Sequence, residues 1–417
     1  MHLNTIYFGF KQKSFIFFAI LFIFFTVGSN LHLNSYLYET GVGYFDLLLL
    51  FYGFILLIRN RFRSSFQITD TIFVLFSLIV IMMMLSELLA LIFQLKYSLD
   101  SSLIKKIYFL YVYLIIYNLS LTSFDGYSAL AGALVGTVLG GVFYFIENYT
   151  YTLAVQSLPE IAGIQLLNDQ NVIGQVLALS ILSLFILYVL SKKSIWGVLF
   201  ILAIIPILMT YSKAAMLQWL ILLMLFVFLS VFSKNKISIK GFFTAILLGG
   251  VLYTIIYFIG VENIGIYFTN KLTQTESGSL NLRISYFFDT LFASTNSPIF
   301  GHGGKNFGYI GNILSGDWSQ AKNSNSHNAF SELAFSSGYV VLVAFLLIIY
   351  VSASRLRFVV RHFTSRNDSL FVLIAFYCVI GLWASVQLQI YHQPWFYAYC
   401  GLVSGISKKI SFERVVN

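Results

Sequence analysis

Runs of about twenty apolar residues, broken by short polar clusters, recur along the whole chain. Crossing a bilayer takes ~20 mostly apolar residues, within a range of roughly 17–25. About twelve stretches fit that pattern. They start near Ser14, Tyr44, Asp70, Leu103, Gly126, Val172, Ser194, Ala214, Gly241, Asn328, Ser369 and Pro394, and the second and the last are short. One long polar interval breaks the series, residues 261–326, between the ninth and tenth stretches. The pattern predicts an all-α integral membrane protein of about 12 transmembrane helices. Residues 1–417 read as a single polytopic domain with one long segment outside the bilayer.

Composition agrees: 59% of the 417 residues are hydrophobic and 10% are charged, against about 25% charged in a soluble domain. Charge then sets direction. With the N-terminus in the cytoplasm and strict alternation, all but eight of the 25 Lys and Arg fall in cytoplasmic segments, Arg355 among those inside. The eight are Lys96, Lys105, Lys106, Lys213, Lys271, Arg283, Lys305 and Lys322. Of these, Lys96 to Lys106 is the stretch that the rule would rather hold inside. Residues 261–326 come out on the far side of the membrane. The net charge of +9 is therefore mostly anchor charge and does not point to nucleic acid. The first stretch, with Val27-Gly28-Ser29 behind it, could pass for a signal peptide, but eleven further spans favour an uncleaved anchor. Cys378 and Cys400 have neither metal-site nor disulfide-framework spacing.

Water-soluble chemistry has most room in residues 261–326 and the helix entry behind them. Ile284 to Phe292 carries apolar residues at 284, 287, 288, 291 and 292, the spacing of a helix lying in the membrane interface. Arg283 stands at its start, where a helix dipole disfavours a cation and favours a bound anion. Such an arginine either binds an anion or snorkels to headgroups. Pro298 to Gly304 and Gly308 form a glycine-rich turn, in which backbone N–H groups could face a ligand or only tighten the chain. His302 reads as a turn histidine exposed to water. Ser326-His327-Asn328 then opens an apolar helix containing Glu332 and Gly338. Ser326 or Asn328 can cap that helix. Capping does not account for His327, whose near-neutral pKa suits it to take a proton from a hydroxyl. Glu332 either orients that histidine or faces another helix.

Two more polar clusters sit at outer helix ends. Asn168-Asp169-Gln170-Asn171 precedes the sixth span, as a cap or as pocket lining. Lys213, after Ser212, must pair, snorkel or bind an anion. Glu87, near the outer end of the third span, has no partner that the sequence names.

Together these residues resemble the O-antigen ligase and polymerase superfamily. The resemblance rests on Arg283, then Pro298, Phe300, Gly301 and Gly303, then His327-Asn328 with Gly338 ten residues later. Asp169-Gln170-Asn171 looks like the family's Asp-Pro-Asn element, with Gln170 in place of proline. Ser212-Lys213 looks like its Ser-Arg element, with a lysine that lacks the bidentate fork of arginine. The matches keep the family's order across roughly the C-terminal 60% of the chain.

The resemblance implies a GT-C-like, metal-independent membrane glycosyltransferase without a cofactor. Its donor would be a glycan on undecaprenyl pyrophosphate, used with a glycan acceptor at the periplasmic face of the bacterial inner membrane, with room for a chain-length regulator as partner. In that frame Arg283 and His327 are the expected catalytic residues. Lys213, Asp169, Asn171, Gly301, Gly303 and Asn328 are the expected substrate-binding ones. A polymerase is expected over a ligase, from the richness in Phe, Tyr and Ile and the departures at Gln170 and Lys213. The alternatives are an O-antigen ligase acting on lipid A-core and a transporter or flippase. The latter would show internal repeats and ionisable residues at mid-membrane.

Overall fold

The computed structural model describes residues 12–27, 51, 70–93, 102–122, 125–157, 170–210, 212–232, 287–304, 328–386 and 393–416. For some of them, Asn171 and Lys213 included, it describes the backbone alone. The spans expected near Tyr44 and Gly241 lie outside the described residues, as do Asp169, Arg283 and His327.

Every regular element among the described residues is helical. In order they are α1 (Gln12–Val27), α2 (Thr71–Ile92), α3 (Ser102–Thr122), α4 (Gly126–Ser157), α5 (Gln170–Ser191), α6 (Ser194–Leu202), α7 (Ile204–Thr210) and α8 (Lys213–Phe232). There follow α9 (287–294), α10 (Ala329–Ser337), α11 (Tyr339–Phe363), α12 (Arg366–Val386) and α13 (Pro394–Val416). In hydrocarbon a helix satisfies its backbone polar groups within one segment, which is why apolar runs become helices here. Among the described residues, α2, α11, and stretches of α4, α5 and α12 are long and apolar enough to cross a membrane. The seventh stretch is two helices broken at Ala203. Pro206 explains the break, since it has no N–H for the Leu202 carbonyl and its ring would crowd that oxygen.

Close contacts give the helix directions. A β-carbon on Gly132 would overlap the Phe15 carbonyl oxygen, one on Gly136 that of Ala19, and one on Gly140 would press on Thr26. This glycine-every-fourth stripe lets α1 and α4 run in parallel with their backbones touching. Gly401 and Gly405 do the same for α13 against the Tyr113 and Tyr117 carbonyls of α3. α5 runs parallel to α8, with Gly174 against Ser212 at one end and Tyr188 against Phe226 near the other. α5 is the bundle's interior helix, almost wholly buried. Outward faces stay apolar, as Ile16, Ile20 and Phe24 on α1 show.

Two ends can therefore be distinguished. A basic end gathers Lys192, Asp368, His362 and Arg414, with Lys192 and Asp368 paired at 3.0 Å and Tyr127 packed on Phe363. The opposite end gathers the starts of α5, α8, α10 and α13. From α2 to α8, with α6 and α7 taken as one crossing, successive helices alternate between these ends.

Three expectations change. The tenth span does not start at Asn328 as one helix. α10 comes first, and Gly338 breaks it from α11. Arg355 is no loop anchor: it lies within α11 and binds Asp70 at 2.8 Å in a largely buried pair. Asp70 also caps α2 and accepts from the Tyr113 hydroxyl. Lys106 is buried with its ammonium 5.7 Å from the centre of the Phe109 ring, so its charge belongs to the bundle interior and not to a surface anchor.

Candidate active site

The described part of the polar segment is α9 and the glycine turn behind it. Phe288 and Phe292, one helical turn apart on α9, are exposed, as are Ile299 and Phe300 of the turn, while Thr290, Ala293 and Ser294 are buried. An apolar face turned outward is what a helix lying in the interface needs. Beyond Ser294 the chain winds tighter, through bonds from Thr295 N to Phe292 O and from Ser297 N to Ser294 O.

The turn then lands on the end of α10. A helix leaves its last carbonyls without intrahelical donors. Here the turn supplies them: His302 N–H donates to Phe335 O at 2.8 Å and Gly303 N–H to Ser336 O at 3.0 Å. In return Tyr339 N–H donates to Pro298 O at 2.7 Å. The fit needs glycine on both sides. Gly301 has φ +70° and Gly338 φ +86°; a β-carbon on the first would overlap the Ser336–Ser337 peptide, and one on the second the Ile299 carbonyl.

From α2, the Ser86 hydroxyl donates to Ser336 O and accepts from Gly303 N at 3.2 Å, and the Glu87 carboxylate accepts from Gly304 N. With Gly301 N bonded to Ser297 O, all four N–H groups from Gly301 to Gly304 go to protein acceptors. The turn therefore contributes shape, and its amides are not aimed outward at an anion.

His302 is the plainest correction. The expected water-exposed residue is buried, its ring 4.9 Å from that of Phe335, with Nε2–H donating to Ala293 O at 3.0 Å. Burial lowers its pKa below the ordinary value, and the bond to Ala293 works the other way.

Asn328 is the N-cap of α10. Its Oδ1 accepts from Phe330 N and Ser331 N, and its Nδ2 donates to Ser385 O of α12 at 2.9 Å. The residue next to His327 thus fixes where α10 starts and ties that start to α12. α12 in turn receives Gln218 of α8, which donates to Val379 O at 3.2 Å. Gly174, three residues after Asn171, packs on Ser212, next to Lys213. The backbones that carry Asn171, Lys213 and Asn328 therefore lie at the same end of the bundle, borne by α5, α8 and the start of α10 beside α12. Glu332 is buried in the first turn of α10.

Sequence reasoning noticed Glu87 as a carboxylate in an apolar run but gave it no partner. It missed Ser86 and Gly174, for which composition carries no signal. Among the described residues, no three His, Cys, Asp or Glu side chains converge as a metal would require.

A comparison of the chain with curated proteins finds no match. Residues 197–346 match the family model described as O-antigen ligase. That stretch begins within α6, contains α7 to α10 with the glycine turn and the Asn328 cap, and ends in α11. Over that stretch the chain is similar to the O-antigen ligase family, which supports a multi-helical membrane protein of the O-antigen ligase and polymerase superfamily with a role in surface-polysaccharide biosynthesis.

Proposed function

We propose that the chain is a metal-independent glycosyltransferase that polymerises glycan repeat units carried on undecaprenyl pyrophosphate. The observation that carries this reading is α10, capped at its start by Asn328 directly behind His327 and at its end by the glycine turn, all inside the family-matched stretch. It provides a rigid base for a residue suited to proton transfer. Basic residues crowd the opposite end of the bundle, which by the positive-inside rule faces the cytoplasm. The site then faces the periplasm of the bacterial inner membrane.

In this mechanism His327 takes the proton of the acceptor sugar hydroxyl as the oxygen bonds to the donor's anomeric carbon. The bond from that carbon to the pyrophosphate oxygen breaks, and undecaprenyl pyrophosphate leaves with the electron pair. Arg283, together with Lys213 as a point charge, stabilises the charge that develops. Asp169 and Asn171 line the pocket. Gly301, Gly303 and Asn328 act through the shape of the turn and the start of α10. A polymerase fits the departures at Gln170 and Lys213 better than a ligase does.

The test is the surface-glycan ladder of a strain lacking the gene, complemented with wild type or with His327→Ala. Lipid A-core capped with a single repeat unit in the deletion strain, cured by wild type and not by His327→Ala, is the expected result. Bare core with long glycan left on the lipid carrier would make the protein a ligase instead. An unchanged ladder would favour transport, for which the buried Asp70–Arg355 pair would be the first residues to test.

A further inference from the structure

The glycine turn is held from outside the family-matched stretch. α2 runs antiparallel to α11 and is fastened to the turn–α10–α11 unit near both of its ends. At the basic-end side Asp70 grips Arg355 of α11. At the other side Ser86 and Glu87 take hold of the turn. Ser86 is buried and bridges two partners at once, donating to the last turn of α10 and accepting from Gly303. Glu87, also buried, receives Gly304 N–H, the last described residue of the turn. A short polar residue and a carboxylate in an otherwise apolar helix would burden a span that only had to pack. Both hold the backbone of one turn, and Ser86 holds the end of α10 as well.

We propose that Ser86 and Glu87 are positioning residues for glycosyl transfer. By seating the turn on α10 they fix the spacing between the chain that leads in from Arg283, through α9, and the helix that follows His327. Their action is on geometry. It is felt in the rate of the transfer step and not in affinity for the donor. This inference rests on the proposed glycosyltransferase reading.

The experiment uses membranes of the deletion strain carrying wild type, Ser86→Ala, Glu87→Leu, Glu87→Gln or His327→Ala. The probe is lipid-linked glycan extracted from the deletion strain, and initial rates are followed against its concentration. Ser86→Ala and Glu87→Leu should lower kcat by roughly tenfold to a hundredfold, the effect of a small misplacement near the chemistry, with KM within about twofold. Glu87→Gln restores an acceptor of the same shape and should regain most of the rate, which a purely electrostatic or bulk structural role would not predict. Hydrogen exchange at Gly303 and Gly304 should quicken in the two damaged variants and not in Glu87→Gln. Full activity in Ser86→Ala and Glu87→Leu would overturn the proposal, as would a loss that Gln fails to restore or a rise in KM alone. If His327→Ala is inactive while the clamp variants work normally, only this inference falls. If wild type leaves the probe unchanged, or His327→Ala consumes it as wild type does, the glycosyltransferase reading falls with it.

Discussion

At the basic end of the bundle, side-chain charges tie the helices together: Arg355 to Asp70 and Lys192 to Asp368. At the glycine-turn end, the ties run through backbone amides, from Gly303 to Ser336 and Ser86 and from Gly304 to Glu87. A charge pair fixes two side chains and leaves the backbone some slack. An amide–carbonyl bond fixes the chain itself, and so demands residues without a β-carbon where two backbones meet. The difference suits what each end does. One end has to hold helices together, and the other has to hold a chain path.

The largest stability effect should come from the charged end. Asp70→Asn or Arg355→Leu alone leaves one member of a buried pair without its partner and should cost about 3–5 kcal/mol. The double replacement Asp70→Leu/Arg355→Leu should recover part of that loss, measured as denaturation in detergent. Additive losses would show that the pair is no unit. Next comes Gly338→Ala. The strained φ costs about 1–3 kcal/mol by itself, and the overlap with Ile299 O adds to it. Activity should fall more than stability, because the turn is pushed off α10. A fully active Gly338→Ala protein would remove the contrast between the two ends. The smallest effect is His302. The folded protein holds this ring neutral below its ordinary pKa of 6.5. Its contribution to stability is therefore complete above that pH and is lost as pH falls through the folded value. The Tm should drop on acidification below 6.5, and His302→Gln should flatten that part of the profile.

Much of the fold was legible in the sequence because a bilayer forces one solution on an apolar run. The starts near Asp70, Gly126 and Ser369 fall close to those of α2, α4 and α12. What escaped were tertiary facts. Arg355 looks like an anchor until Asp70, far away in sequence, is found beside it. Hydropathy also passes over Gly338, since a helix break there depends on φ and on the nearness of Ile299. At the site, Asn328 was legible as a cap because capping is local. His302 was misread for the opposite reason, since its burial depends on Phe335, a helix away.

The glycine stripe of α4 also bears on how the protein is made. α1 enters the membrane ahead of α4, and the surface it fits, Gly132 to Gly140, is translated roughly a hundred residues later, several seconds at about 5–20 residues per second. For that interval α1 must wait beside the insertion machinery or among lipids without its partner. A bulkier residue at Gly136 would spoil a rendezvous already scheduled by the order of synthesis, and its first symptom would be premature loss of the nascent chain to quality control.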